Sequence, residues 1–195
     1  MSELLDRESV IETARLELHH ISVHELISLF ETPEDDWIFE GKIFTNPHRE
    51  LVDHPGPLAF RVPQVKLDSR VNKWFVRWIV LKARREIIGS TSFHASPDAE
   101  GMIEIGLGIN QNFQNQGYGF EALAAMWSWA CTYPEVRTLR YTVSADNAAS
   151  IALVNKFGFH HVGQQMDEID GPEQIYELSI QKYKDFIGLE RTSRG

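Results

Sequence analysis

The chain is nearly free of cysteine: Cys131 stands alone among 195 residues. An internal disulfide is therefore excluded, and a reducing compartment, the cytoplasm, is the expected setting. Long apolar runs are missing as well. The apolar stretches have the length of strands, so no membrane span is expected. Positive charge is in deficit, with 19 Lys and Arg against 28 Asp and Glu and a formal net charge of -9. A nucleic-acid grip needs a basic face and is not expected; a cationic acceptor such as an amine suits the field of such a chain. Repeats and low-complexity segments are absent. The opening residues Met1-Ser2-Glu3-Leu4-Leu5-Asp6-Arg7-Glu8 lack both a basic start and an apolar centre, so they do not read as a secretory signal. The eight histidines form no recognisable metal motif. His19-His20-x-x-x-His24 and His160-His161 match neither a helical H-E-x-x-H nor a Cys/His finger, and adjacent strand histidines point to opposite faces. No metal is expected.

What is present suits one domain over residues 1–195, with a core over about 10–183 and a frayed polar tail from Lys184. Thr13-Ala14-Arg15-Leu16-Glu17-Leu18 alternates as an opening strand, and Ser22-Val23-His24-Glu25 forms a capping box for a short helix up to about Glu31. From Thr32 to Asn72, Pro33, Pro47, Pro55, Pro57 and Pro63 break the pattern. Loops and short helices that shape an acceptor pocket are expected there, not a second domain. Trp74 to Lys82, Glu86 to His94 and Met102 to Ile109 read as a three-stranded meander. Next, Phe120, Leu123, Ala124, Trp127, Ala130 and Cys131 form one apolar helical stripe, which Pro134 closes. Leu139 to Val143 is a strand, and Asn147-Ala148-Ala149-Ser150 caps a helix ending near Gly158. Phe159 to Val162 and Ile175 to Ile180 complete a hairpin with a turn signal at Asp170-Gly171.

Between the third meander strand and the striped helix lies Gln114-Asn115-Gln116-Gly117-Tyr118-Gly119. Several backbone N–H groups at a helix N-terminus, two of them on glycines, make a cradle for pyrophosphate. Ahead of it, Gly106 and Gly108 in Ile103-Glu104-Ile105-Gly106-Leu107-Gly108-Ile109 mark a bulge or a close approach to the backbone. Gly117-x-Gly119-x-x-Ala122 also fits a dinucleotide fingerprint. That reading requires a glycine directly after the first strand of a βαβ unit and an acidic residue at a later strand end. Here seven residues, Asn110 to Gln116, intervene, and Glu135 sits beside Pro134 before the next strand. The dinucleotide reading is set aside.

In this order of elements the chain resembles the GCN5-related N-acetyltransferase (GNAT) family, whose Gln/Arg-x-x-Gly-x-Gly/Ala acetyl-CoA signature matches Gln114-x-x-Gly117-x-Gly119. Thr13-x-Arg15-Leu16-x-Leu18, Glu104-Ile105-Gly106, Gly117-Tyr118-Gly119-x-Glu121-Ala122 and Asn147-x-x-Ser150 with Gly158-Phe159 further resemble the ribosomal-protein alanine acetyltransferases. The resemblance implies an α/β fold: a mixed, mostly antiparallel sheet of about seven strands, flanked by helices and splayed at the acetyl-CoA site. It implies direct acetyl transfer from acetyl-CoA to a primary amine within a ternary complex. The acceptor is left open between a protein N-terminus and a small-molecule amine or antibiotic. Within the signature loop of Gln114 and Asn115, the amides of Gln116, Gly117, Tyr118 and Gly119 would neutralise the pyrophosphate. Leu107, Gly108 and Ile109 would offer strand groups to the pantetheine amides.

Glu104, a carboxylate on the strand leading into this loop, is the favoured base or water-positioning group, with Asp167 in reserve. By resemblance, Asn147 contacts the pantetheine or substrate region and Ser150 protonates the departing thiolate. Many family members place a tyrosine on this helix where this chain has Val154. Direct transfer needs no nucleophilic cysteine, so Cys131 reads as core. The absent tyrosine also permits a rival of another class, a protein that binds acyl-CoA without turnover.

Overall fold

The computed structural model describes residues 7–167 and 171–193. The opening six residues and Asp170 of the hairpin signal lie outside them. Contacts divide the chain into two units: Met1–Ser96 with Leu107–Met126, and Pro97–Gly106 with Trp127–Gly195.

The first unit holds β1 (Ile11–Glu12), β2 (Leu16–His20), α1 (Val23–Glu31), β3 (Trp37–Phe39), β4 (Lys42–Phe44), α2 (Leu58–Leu67), β5 (Arg77–Leu81) and β6 (Glu86–Phe93). It also takes the last residues of β7 (Met102–Ile109) and the first turns of α3 (Tyr118–Ala130). β2, β5 and β6 pair antiparallel, and their aliphatic residues Leu16, Leu18, Ile79, Val80, Ile87 and Ile88 are buried. The capping box forms as expected: Ser22 accepts from the Glu25 N–H, and the Glu25 carboxylate accepts from the Ser22 N–H.

Two elements of this unit differ from the sequence reading, and a third gives a place to a helix expected only in general terms. The opening strand begins at Leu16, because Thr13 turns back to bond the Leu16 carbonyl through both its N–H and its hydroxyl. The first meander run opens as the end of a 3-10 turn over Ser69–Trp74, capped by Asp68, and β5 starts at Arg77. Within the proline-rich stretch, α2 forms around Pro63. Leu58, Val62 and Val65 bury one face and hold the helix where proline removes a backbone bond.

The second unit holds the first half of β7, then β8 (Thr138–Ser144), α4 (Ala148–Lys156), β9 (His160–Asp167), β10 (Gly171–Ser179) and α5 (Ile180–Ser193). β8 and β9 both pair antiparallel with β10, whereas β7 pairs parallel with β8 over Met102↔Thr138 to Glu104↔Arg140. Among the described residues, Lys184 to Ser193 continue α5. Tyr183 is fully buried with its ring 6.0 Å from that of Trp127, and Phe186 lies 5.6 Å from Phe157. Two aromatics at i and i+3 give the helix an anchored face.

The strand order is β1-β2-β5-β6-β7-β8-β10-β9, a mixed and mostly antiparallel sheet of eight strands with flanking helices, beside the separate β3-β4 hairpin. The eighth strand is β1, two residues long. No helix among the described residues is long and apolar enough to cross a membrane.

Candidate active site

The phosphate loop lies wholly in the first unit. Asn110 caps a short 3-10 turn over Gln111–Phe113, after which the backbone enters the left-handed region at Asn115 (φ 58°) and again at Gly117 (φ 82°), and α3 begins at Tyr118. Alternating right- and left-handed residues turn successive N–H groups toward one concavity. Among the described residues the N–H groups of Asn115, Gln116 and Gly117 make no hydrogen bond, and Gln114 to Gly117 are exposed. Those of Tyr118 and Gly119, in the first turn of α3, have no intrahelical acceptor. The side chains face a different task. Gln114 Nε2 donates to the Ile109 carbonyl at 2.9 Å and Gln116 Nε2 to the Asn112 carbonyl at 3.0 Å, so both amides tie the loop to itself.

A brace from the start of the chain meets this loop. Arg15 Nη1 donates to the Gln116 carbonyl at 2.9 Å, its Nε donates to Glu121 Oε2 at 2.6 Å, and its guanidinium lies 4.3 Å from the centre of the Tyr118 ring. Glu121 Oε1 accepts from the Arg15 N–H at 2.8 Å and from the Thr13 hydroxyl at 2.6 Å. Burial pushes the Glu121 carboxyl up, but these bonds and the Arg15 charge outweigh it and hold the group below its ordinary value.

On the strand leading into the loop, Gly108 does not need its missing Cβ for space. A Cβ on Gly108 would meet nothing within 4 Å. The close approach falls on buried Gly89 of β6, where a Cβ would stand 2.1 Å from the Gly108 carbonyl oxygen. Gly89 drew no attention in the sequence because its neighbours read only as an apolar strand.

The second unit carries the side-chain chemistry. Glu104 is the last β7 residue in the ladder with β8, and its Oε1 accepts from the Thr142 hydroxyl at 2.5 Å. β8 buries Leu139, Tyr141 and Val143 on one face and leaves Arg140 and Thr142 half-exposed on the other, with Arg140 bonded to Glu177 at 2.8 Å. Asp167 ends β9 opposite Gly171. β8 and β10 stand between β7 and β9 in the sheet. Three strand spacings, about 14 Å, therefore separate Glu104 from β9; Glu104 is in register with His160 at the far end of β9 from Asp167, so the two carboxylates do not form a dyad.

The Asn147 side chain caps α4, accepting from the Ser150 N–H at 3.0 Å. The Ser150 hydroxyl is not the cap. Beside it, burial pushes the phenol of Tyr141 up, an effect the Ser150 hydroxyl partly offsets. Val154 is fully buried. Cys131 is half-buried, and burial pushes its thiol up to about 11, which suits an inert side chain. His160 lies beside Lys182 and His161 against Tyr176, so the adjacent histidines turn to different neighbours. Among the described residues no group of three or more His, Cys, Asp and Glu could hold a metal ion. Sequence reasoning missed Thr13, Arg15 and Glu121 as a unit, and Thr142 and Tyr141 as partners. The first three appeared in it as motif letters without a role.

The model of the acetyltransferase (GNAT) domain matches residues 15–160. The uncharacterized N-acetyltransferase YjdG of Bacillus subtilis (strain 168) is 33% identical over 97 residues, a match that spans 49% of this chain and 58% of that protein. Among solved structures, the ribosomal alpha-N-protein acetyltransferase RimL in complex with coenzyme A superposes with a TM-score of 0.59 at 17% identity, covering 88% of this chain and 98% of that one. Mutant forms of the spermidine/spermine N-acetyltransferase SpeG from Vibrio cholerae give a TM-score of 0.59 at 13% identity, with 89% and 98% covered. The family model spans β2 to α4 with the loop ahead of α3, and on that match the chain belongs to the GNAT acetyltransferase family.

Proposed function

We propose that this chain transfers the acetyl group of acetyl-CoA to a primary amine, acting as one N-acetyltransferase domain in the cytoplasm. The observation that carries this reading is the loop. Its N–H groups from Asn115 to Gly117 are unengaged, and the backbone is left-handed at Asn115 and Gly117 directly ahead of α3. That is the donor set a pyrophosphate needs. The exposed backbone at Gly108, clear on the side where a Cβ would stand, suits a pantetheine arm laid along β7. Acetyl-CoA supplies the acetyl group already activated as a thioester.

The rest falls to the chain's own residues. Glu104 takes a proton from the acceptor ammonium, directly or through a water, and the Thr142 hydroxyl orients its carboxylate. Asp167 is the reserve for that role. Ser150, near Tyr141, provides the hydroxyl that Val154 cannot provide for the departing thiolate. Asn147 orders the start of α4 around it.

Two acceptor classes fit, a protein N-terminal amine and a small polyamine or other amine, and the net charge of -9 favours a cationic acceptor in either. The test is thiol release from acetyl-CoA across N-terminal peptides, polyamines and aminoglycosides, each against an amine-free control. Release above that control with at least one amine is expected. A folded protein that binds coenzyme A tightly and releases thiol with none of them would replace this reading with a binding role.

A further inference from the structure

Resting on that reading, the geometry points to Arg15 as the residue that sets the direction of the pyrophosphate loop, a positioning residue outside the loop itself. Arg15 Nη1 holds the Gln116 carbonyl at 2.9 Å. In a planar trans peptide the C=O of Gln116 and the N–H of Gly117 point to opposite sides. Fixing the carbonyl on Arg15 therefore turns the Gly117 N–H away from the arginine, into the concavity that the exposed loop presents.

Without this tether the Gln116–Gly117 peptide is free to flip, because glycine accepts either hand of φ. A flipped peptide would present a carbonyl oxygen to an anion. The brace also removes a second obstacle. Glu121 lies in the first turn of α3, where its negative charge would oppose the phosphate that the same helix end attracts. Its carboxylate instead receives the Arg15 guanidinium, the Arg15 N–H and the Thr13 hydroxyl. Arg15 thus cancels that charge and orients the donor with one planar fork, a geometry that lysine cannot reproduce. Stacking on Tyr118 at 4.3 Å fixes the guanidinium plane.

The test compares Arg15→Met and Arg15→Lys with the wild-type chain. Coenzyme A affinity is read by calorimetry, and the KM for acetyl-CoA and for S-acetylpantetheine, which has no pyrophosphate, is read with the best acceptor amine. Arg15→Met is expected to weaken coenzyme A binding by about tenfold and to raise the acetyl-CoA KM to match, with kcat at saturation nearly unchanged. Arg15→Lys should recover part of that loss. The KM for S-acetylpantetheine should not move.

Wild-type coenzyme A affinity in a folded Arg15→Met chain overturns the inference. So does an equal loss with both donors, or a loss that follows a lowered melting temperature and is not relieved by lysine. A wild-type chain that binds no coenzyme A would refute the functional reading itself, a result distinct from all of these.

Discussion

The loop at Gln114 to Gly119 and the groups around Glu104 and Ser150 are held by different means. In the loop the working atoms are backbone N–H groups, and their direction comes from left-handed residues at Asn115 and Gly117 within a stretch of six residues. Around Glu104 and Ser150 the proposed working atoms belong to side chains, and Glu104 depends on a neighbour supplied by β8, the Thr142 hydroxyl. A backbone site tolerates most side-chain changes and fails where a Cβ or a wrong φ intrudes. A side-chain site does the opposite, since it can keep its fold perfectly while one functional atom is exchanged.

The sharpest way to break this comparison is on the strands that lead into the loop. Gly89→Ala would drive a Cβ to 2.1 Å from the Gly108 carbonyl. Denaturant unfolding should show a loss of about 3 kcal/mol, at the upper end of what overpacking costs. Gly108→Ala, with open space around its Cβ, should melt close to the wild type and show weaker coenzyme A binding. If both variants melt alike, the close approach assigned to Gly89 is wrong.

Next in size is Glu104→Gln, which preserves shape and removes the base. Acetyl transfer should fall by about 100-fold, most steeply below the pKa of the acceptor amine, with coenzyme A affinity and melting unchanged. Wild-type rates across a pH series would transfer the role to Asp167 or to solvent.

Smaller still is the contrast within α4. Ser150→Ala keeps the cap, because the cap acceptor is Asn147 Oδ1. It should therefore lower kcat by about tenfold with little change in the acceptor KM or in stability. Asn147→Ala removes the cap and should cost about 1 kcal/mol of stability. Full kcat in folded Ser150→Ala would leave the hydroxyl as a structural partner of Tyr141.

Legibility followed the range of the interactions. The Ser22–Glu25 capping box, the apolar stripe of α3 and the Asn147 cap all involve residues within one or a few helical turns, and their letters alone announce them. The loop was readable for the same reason. Short helices were expected in the proline-rich stretch, but the place of α2 was not legible, because Pro63 argues locally against a helix that burial of Leu58, Val62 and Val65 sustains. The frayed-tail expectation missed the docking of Tyr183 and Phe186 on aromatic rings contributed by α3 and α4.

By itself the sequence determined where a left-handed loop precedes α3, which residue types carry candidate chemistry, and the order of the elements from β5 to β10. It could do so because left-handed turns, helix caps and periodicity depend on near neighbours along the chain. Only the tertiary structure decided that Gly89 comes under close approach and that Thr142 holds Glu104. It alone brought Arg15 and Thr13 onto Glu121, across more than 100 positions of sequence. Such contacts are selected by the packing of strands and helices far apart in the chain, and no local pattern of letters encodes which of many distant residues will meet.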